Sequence, residues 1–384
     1  MTYSKVWFHS GAPCHGCAGI GGMWDALEAG SIPFGAYSVN GGGLAIQAAR
    51  HSLATVIYRD VAYDYVPYHV EATAAAATDY WKQIRDALPP EVRAAKDRIW
   101  IEVFNEPDKE RTEIVARWQY QLAQAALADG YRFGGPGWAS GTPEPEAWRG
   151  EWMQRYLRLC AAKPEQAAVT LHEYSYDAKD IKAGYPYLVG RYRFLFEAGD
   201  ALGIARPTVL ITESGWTLND MPAQTAEAMA DVTFLAQEYA PHENIKAAFL
   251  WSLIGGGDKK MLSQRLNGLI SPVTDYALTA RFDETPAPTP GPVPEPKPPA
   301  PAPKPEPLPA PGVNLLPNGD FGGGWKDSAE WPMTTQDPTG WLALWNATDG
   351  DDCRNEYAPD QPFRIGEAIH KGRAHVPAAE HAGF

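Results

Sequence analysis

Short apolar runs and longer amphipathic stretches alternate along the first 283 residues of the chain. The apolar runs are rich in β-branched and aromatic residues, which is typical of buried strands. The stretches between them have apolar residues three and four positions apart, which predicts helices. Eight strands are predicted, at residues 4–9, 34–39, 54–59, 99–104, 131–135, 168–174, 208–213 and 246–251.

Eight strand-then-helix units in about 280 residues favour an α/β fold, the (β/α)8 TIM barrel. An open doubly wound sheet is the structural alternative. The first strand is not followed by the glycine-rich fingerprint of a dinucleotide site, so the barrel is preferred. Helical spacing occurs at residues 21–29, 43–51, 71–87, 111–129, 147–161, 187–202, 223–239 and 274–280.

The composition changes sharply after residue 284. From Pro286 to Pro311 there are 14 prolines in 26 residues, which predicts an extended polyproline spacer. Its full reach is roughly 80 Å, and a plain linker is favoured over a proline-motif ligand. The domains are therefore predicted as a barrel at 1–284, a Pro-rich linker at 285–312 and a small all-β module at 313–384. That module is shorter than a sandwich of roughly 100 residues, so an incomplete one is expected.

The net charge of −14 and the pI of about 5.1 argue against nucleic-acid or anionic-membrane partners. No apolar run is long enough to predict a transmembrane span. The first predicted strand begins close to Met1, so a signal peptide is not predicted. Localisation is left open, although the linker architecture suggests secreted or extracellular action, and a monomer is expected.

Polar side chains follow nearly every predicted strand. In a TIM barrel the active site lies at this end, where the strands have their C-termini. Asn105 and Glu106 come after the fourth strand, just before Pro107, and Glu213 comes after the seventh. An acidic residue in the first turn of a helix is the ordinary explanation for one such carboxylate. Two carboxylates at one barrel mouth can instead share acid and base work. Further candidates for binding are His9, Asn40, Arg59, Trp138, His172, Tyr174, Trp216 and Trp251.

The sequence Asn105-Glu106-Pro107, together with Glu213, His172-x-Tyr174 and Trp251, resembles the large clan of retaining (β/α)8 glycoside hydrolases. Its members include cellulases, mannanases and xylosidases, and the resemblance covers residues 1–283. The resemblance implies Glu106 as acid/base and Glu213 as nucleophile, with Asn105 donating to the substrate 2-hydroxyl. It also implies His172 and Tyr174 beside the nucleophile, Trp251 as the floor of the subsite, and a cis peptide bond between Trp251 and Ser252.

Retaining hydrolysis needs two carboxyl groups about 5–5.5 Å apart, one ionised and one protonated. Tyr174 and Arg59 are expected to favour the charged form of Glu213. The resulting negative charge and partial burial are expected to raise the pKa of Glu106. Because side chains alternate along a strand, Glu173 faces away from His172 and Tyr174 and is predicted to be structural.

Several candidate residues have an ordinary alternative role. Arg59 could close an ion pair at the barrel rim, and His9 could be a rim histidine with its hydrogen bonds satisfied. Asn40 is equally open between binding and a structural role. Trp138 and Trp216 are either walls on which a sugar stacks or side chains packed beneath a loop.

Two short motifs are interpreted without a cofactor or metal. Cys14-His-Gly-Cys17 lacks a second cysteine pair to complete a zinc site, so a local disulfide or free thiols are expected. Residues 255–260 are predicted to form a flexible lid rather than a phosphate-binding loop.

These observations favour a retaining glycosidase that acts on a polysaccharide or oligosaccharide. The tail, which opens with Asn314-Leu-Leu-Pro-Asn-Gly-Asp-Phe321, weakly resembles carbohydrate-binding modules, and a folded spacer or remnant is the alternative. The competing functions are a non-catalytic glycan-binding barrel and a bacterial cell-wall hydrolase.

Overall fold

Eight parallel strands pair in chain order, and the eighth pairs with the first, which closes the sheet into a barrel. The computed structural model describes residues 2–255 and 259–283, with two short strands further along the chain. Closure confirms the predicted barrel and excludes the open doubly wound sheet. The strands are β1 (Val6–Gly11), β2 (Phe34–Val39), β3 (Ala54–Arg59), β4 (Ile99–Glu102), β5 (Arg132–Trp138), β6 (Ala167–Tyr174), β7 (Thr208–Gly215) and β8 (Ile245–Leu250).

Helices separate successive strands nearly everywhere, as the apolar spacing predicts. A proline pair, Pro89-Pro90, divides the connection between β3 and β4 into two helices, because proline ends a helix and suits the first position of the next. The helices are α1 (Ile20–Ala29), α2 (Gly43–Ala49), α3 (Ala74–Ala87), α4 (Pro90–Ala94), α5 (Thr112–Ala128), α6 (Glu151–Ala162), α7 (Tyr192–Ala201), α8 (Thr225–Tyr239), α9 (Lys260–Asn267) and α10 (Ile270–Thr279).

Two helix predictions differ from the structure for identifiable reasons. The helix predicted at 187–202 begins only at Tyr192, because Gly190 has φ +83°, a left-handed conformation that a helix cannot include. After β8 the prediction of one short helix at 274–280 was incomplete, since α9 and α10 both lie there.

The core lies on both faces of the sheet. The barrel strands are buried along nearly their whole length, as expected for parallel strands that helices cover. Tryptophans on three of those helices, Trp24, Trp81 and Trp118, are each at most 1% exposed. Truncating such a side chain to alanine typically costs about 3–5 kcal/mol. The ends of the strands are therefore held in place by a densely packed core.

The two ends of the barrel segment meet in a short antiparallel bridge. The Thr2 amide donates to the Phe282 carbonyl at 2.9 Å, and the Phe282 amide returns a bond to the Thr2 carbonyl at 3.1 Å. The bridge joins the chain before β1 to the chain after α10.

Cys14 and Cys17 form a disulfide in the loop after β1. Of the two expected states, this is the local disulfide and not the free thiols. The loop also bonds to the loop after β8, because the amide of Gly16 donates to the carbonyl of Leu253 at 2.8 Å. The disulfide therefore stiffens the place where the first and last strands adjoin.

Further along the chain, Trp325–Asp327 (β9) and Gln336–Pro338 (β10) form a two-stranded antiparallel ladder in a separate unit. The rest of the predicted linker at 285–312 and module at 313–384 lies outside the described residues, as do residues 256–258 of the predicted lid. Among the described residues, no helix combines the length and the apolar character that crossing a membrane requires.

We expect the Cys14→Ser/Cys17→Ser variant to lose about 2 kcal/mol of unfolding free energy, the chain-entropy value for so short a loop. Denaturant unfolding with and without reductant measures this. Reductant should destabilise the parent protein and leave the double variant unaffected, and equal sensitivity of the two proteins would contradict the prediction.

Candidate active site

The ends of β4 and β7 bring two carboxylates together at the mouth of the barrel. A carboxylate oxygen of Glu106, one of Glu213 and a ring nitrogen of His172 all lie within 4.8 Å of one another. The side chain of Glu106 is 41% exposed, whereas that of Glu213 is 5% exposed. The two acids therefore occupy different environments at very short range.

The loop that carries Glu106 has an unusual backbone. Phe104 and Glu106 have φ values of 69° and 44°, a region that residues with bulky side chains rarely occupy. Two hydrogen bonds hold it: the Glu106 amide donates to the Gly137 carbonyl at 2.7 Å, and the Gly137 amide donates to the Phe104 carbonyl at 3.1 Å. The fourth strand was predicted to end at residue 104. It ends at Glu102, because the left-handed residues that follow cannot continue a strand. Such strain is often stored at functional sites.

Both oxygens of Glu213 accept hydrogen bonds from side chains on other strands. Arg59 Nη1 donates to Oε1 at 2.9 Å, and the Tyr174 hydroxyl donates to Oε2 at 2.7 Å. His172 Nδ1 lies 3.6 Å from the same Oε2. A buried carboxylate stays ionised only with such partners.

The surroundings of Glu213 keep it ionised. Burial by itself raises the pKa of Glu213, but the charges of His172 and Arg59 and the Tyr174 hydrogen bond lower it below its ordinary value overall. This direction agrees with the expectation for Tyr174 and Arg59.

The expected rise in the pKa of Glu106 was wrong. His172 Nδ1 lies 3.0 Å from Glu106 Oε1, and this hydrogen bond outweighs partial burial and lowers the pKa of Glu106. Burial lowers the pKa of His172, but the Glu213 charge and the Glu106 bond raise it above its ordinary value overall. The directions of these two pKa shifts favour the protonated form of His172, which lies between two carboxylates.

Arg59 joins the two carboxylate loops. Its Nη1 donates to the side-chain oxygen of Asn105 as well as to Glu213, and its Nε lies 3.4 Å from Asp64 Oδ1. Burial, the largest influence, raises the pKa of Asp64 to about 6. The bond to Arg59 directs the Asn105 amide so that its NH₂ group is the end that can donate to a ligand. Arg59 thus forms a rim ion pair and also contacts the site.

His9 lies beneath Trp251 and is fully buried. Its ring stacks on Tyr37 with centroids 4.4 Å apart, and its Nδ1 is 3.1 Å from the Ser252 hydroxyl. Burial lowers the pKa of His9 to about 3, so its ring is neutral. The other ring nitrogen, Nε2, is buried without a hydrogen-bond partner among the described residues and lies 3.9 Å from Glu213 Oε1, so His9 is not the rim histidine with satisfied hydrogen bonds.

Trp251 is half-buried, and the centroids of its indole and of the His9 ring are 4.7 Å apart. The Trp251–Ser252 peptide bond is cis, as the resemblance implies. The indole nitrogen donates to the Leu218 carbonyl at 3.2 Å, which fixes the ring at the mouth.

Two candidate binding residues need correction, and a third, Asn40, is hydrogen-bonded within the protein. Trp138 and Trp216 are each 1% exposed, so neither presents a face to a sugar, and both pack beneath loops. The Trp216 indole donates to Asp231 at 2.6 Å. The side-chain oxygen of Asn40 accepts the amide hydrogen of Val61 at 3.1 Å, which links the end of β2 to the loop after β3.

Glu173 is structural, as its position on the strand predicts. It is fully buried on the outer side of β6 and accepts hydrogen bonds from the Gly190 amide, the Tyr192 amide and the Tyr239 hydroxyl at 2.6, 3.1 and 2.8 Å. Burial, the largest influence, raises its pKa to about 7.

The sequence reasoning missed four residues of this region. Glu102 lies below the pair, where the hydroxyls of Tyr37 and Thr212 donate to it. A lone acid inside the apolar run of β4 was the available signal for Glu102. Asp64 and Tyr176 lie in loops, where strand periodicity carries no information. These missed residues are Tyr37, Asp64, Glu102 and Tyr176.

The spacing of Glu106, His172 and Glu213 would suit a metal ion. However, Arg59 and Tyr174 already occupy the two oxygens of Glu213, and a metal cation there would face the guanidinium charge. The donor set therefore suits proton transfer better than metal binding.

No protein-family model matches this chain, and no curated protein matches it. Solved structures with a similar arrangement include a monomeric beta-xylosidase from Caulobacter crescentus CB15, at 14% identity over 65% of this chain and 60% of that one, with a TM-score of 0.38. A mannanase catalytic domain from Streptomyces sp. SirexAA-E is 18% identical over 66% of this chain and 75% of that one, with a TM-score of 0.35. A family 39 glycoside hydrolase from Bacteroides cellulosilyticus WH2 is 9% identical over 70% of this chain and 63% of that one, with a TM-score of 0.42. These likenesses are too weak to argue function, which must come from the site itself.

Gly137 gives a direct test of the His172 position. A Cβ at Gly137 would lie 2.7 Å from His172 Nε2, so we expect Gly137→Ala to displace the imidazole and disturb its 3.0 Å contact with Glu106. The pKa of His172 should then fall from above about 6.5, because the raising contacts weaken while burial remains. NMR titration of the imidazole measures this.

Gly43→Ala is the matched control, since nothing lies within 4 Å of its added Cβ. A folded Gly137→Ala protein with an unchanged His172 pKa would show that the two groups do not compete for space.

Proposed function

We propose that this protein is a glycoside hydrolase that cleaves O-glycosidic bonds of a polysaccharide or oligosaccharide by double displacement. The observation that carries the proposal is that one carboxylate oxygen of Glu106 lies within 4.8 Å of one carboxylate oxygen of Glu213. Retaining enzymes hold their carboxyl groups about 5–5.5 Å apart, and inverting enzymes about 6.5–9.5 Å. The short separation supports a retaining reaction and argues against a barrel that only binds glycans.

Glu213 is the proposed nucleophile. Its lowered pKa keeps it ionised, and the hydrogen bonds from Arg59 and Tyr174 hold both of its oxygens in place. It attacks the anomeric carbon, the bond from that carbon to the leaving oxygen breaks, and a glycosyl ester on Glu213 forms.

Glu106 is the proposed acid and base. The proton on His172 Nδ1 moves along the 3.0 Å hydrogen bond to Glu106 Oε1 and then to the leaving oxygen. Forming the ester removes the Glu213 charge, which is the largest influence that keeps the proton on His172. Bond formation at Glu213 therefore drives the proton toward the leaving group. The ionised Glu106 then deprotonates the water that hydrolyses the ester.

Asn105 and Trp251 are proposed to bind the sugar that is cleaved. The Asn105 NH₂ group, oriented by Arg59, donates to a ring hydroxyl beside the anomeric carbon. The half-buried indole of Trp251 supports the apolar face of the same sugar.

We expect Glu213→Ala to lower kcat by on the order of a thousandfold or more, because the covalent route is lost. Azide should restore part of the turnover of an activated aryl glycoside and give a glycosyl azide of inverted configuration. Product analysis by NMR measures the configuration.

Glu106→Ala supplies the contrasting variant, since its intact Glu213 should give a glycosyl azide of retained configuration. Glu110→Ala removes a 79% exposed carboxylate and should leave activity unchanged. Undiminished hydrolysis by Glu213→Ala would end the assignment.

The pH profile of kcat/KM should be bell-shaped. Its acidic limb reports protonation of Glu213, and its basic limb reports loss of the proton shared by His172 and Glu106. In His172→Gln, Glu106 must hold the proton alone, and its ordinary pKa of about 4.3 lies below the value of about 6.5 for histidine. The basic limb should therefore move to lower pH.

The acidic limb should move to higher pH in the same variant, because His172 helps to lower the pKa of Glu213. His242→Gln is the control. His242 precedes the N-terminal end of β8, at the opposite end of the barrel from the carboxylates, so this variant should keep the parent profile. A basic limb that stays in place or rises in His172→Gln would refute the shared proton.

A further inference from the structure

Tyr176 is an exposed aromatic residue on a rigid loop beside the carboxylate pair. Its side chain lies just past β6, and the residue is 52% exposed and has φ 58°. A left-handed conformation costs a residue with a Cβ roughly 1–2 kcal/mol. An exposed ring held in such a conformation needs a reason, and a binding role is one.

The residues on either side of Tyr176 are anchored. The Ser175 amide donates to the Gly215 carbonyl at 3.0 Å, and the Asp177 amide donates to the Ser175 hydroxyl at 3.1 Å. Asp177 in turn accepts the amide hydrogen of Lys179 at 2.7 Å. The Tyr176 ring is therefore presented by a preorganised backbone, which reduces the entropy lost when a ligand binds.

Three aromatic rings form a row across the mouth. Tyr174 packs edge-on against Trp251 with centroids 6.5 Å apart, and Tyr176 stacks on Tyr174 at 6.0 Å with an 18° angle between planes. Tyr174 is fully buried and its hydroxyl is bonded to Glu213. Tyr176 is thus the accessible end of the row, with Tyr174 between it and Trp251.

The position of Tyr176 along the cleft follows from its neighbours. Partial burial, the largest influence, and then the charge of Glu106 raise the pKa of Tyr176, and the charge of Glu213 acts less strongly. Ser140, which accepts the Tyr174 amide hydrogen at 2.6 Å, contacts the Tyr176 hydroxyl as well. The row of rings places Tyr176 at the end away from Trp251, and the stronger influence of the Glu106 charge agrees with a position beside Glu106.

We propose that Tyr176 is the stacking surface for the sugar on the leaving-group side of the scissile bond. The preferred substrate is then a glycan that continues beyond that bond, and not a glycoside of a small leaving group. Trp251 holds the sugar whose anomeric carbon reacts, and Glu106 reaches the oxygen between the two rings. The inference rests on the proposed function and adds to it the subsite for the leaving-group sugar.

The test compares substrates with and without a leaving-group sugar. Cellohexaose, mannohexaose and xylohexaose are each paired with the β-glycosyl fluoride of the matching disaccharide, and the pair that the parent protein hydrolyses best is used. Tyr176→Ala should lower kcat/KM for the hexasaccharide roughly tenfold, as expected for one lost ring contact, and leave the fluoride unaffected. Tyr176→Phe should retain activity on both, because the ring and not the hydroxyl provides the contact.

Tyr187→Ala is the matched control, since Tyr187 is 66% exposed and stacks on Phe194 instead of on a residue of the site. Equal losses on both substrates, or no loss on either, would overturn the inference while the proposed function stands. A parent protein that hydrolyses a fluoride and none of the hexasaccharides would overturn it too. If the parent hydrolyses neither class, the proposed function fails and this inference fails with it.

Discussion

The ionised side chain of Glu213 is the constraint on which the rest of the mouth depends. A carboxylate that is 5% exposed must be matched by donors, and Arg59 and Tyr174 supply them from strands on other parts of the ring. Removing one partner of a buried ion pair typically costs about 3–5 kcal/mol. Only a closed barrel brings β3, β6 and β7 within reach of one side chain, so the fold and the charge require each other.

Glu106 and Glu213 have different surroundings because one side chain is partly exposed and the other is buried. Glu213 is enclosed and held by fixed donors, whereas Glu106 faces solvent and makes its close contact with His172. That imidazole lies between the carboxylates and feels both charges. A change at one carboxylate is therefore transmitted to the other through a single ring, which in the proposed reaction links bond formation at Glu213 to protonation of the leaving group.

The order of strands and the position of the carboxylate pair were predictable from the sequence, since apolar runs mark strands and polar residues at their ends mark the mouth. The pKa direction of Glu106 was not, because it depends on one interatomic distance to His172. Burial of Trp138 and Trp216 was equally hidden, since residue type does not give depth. The left-handed backbone of Phe104 follows from contacts with Gly137, which lies on another strand and shares no local pattern with it.

The bridge between Thr2 and Phe282 has a consequence for engineering this barrel. Because the two segments already exchange a pair of backbone hydrogen bonds, a short peptide can join them without distorting either strand or helix. The chain can then be opened at an exposed loop elsewhere in the ring. A circularly permuted barrel of this kind keeps every strand in its place and changes the order in which the strands are synthesised.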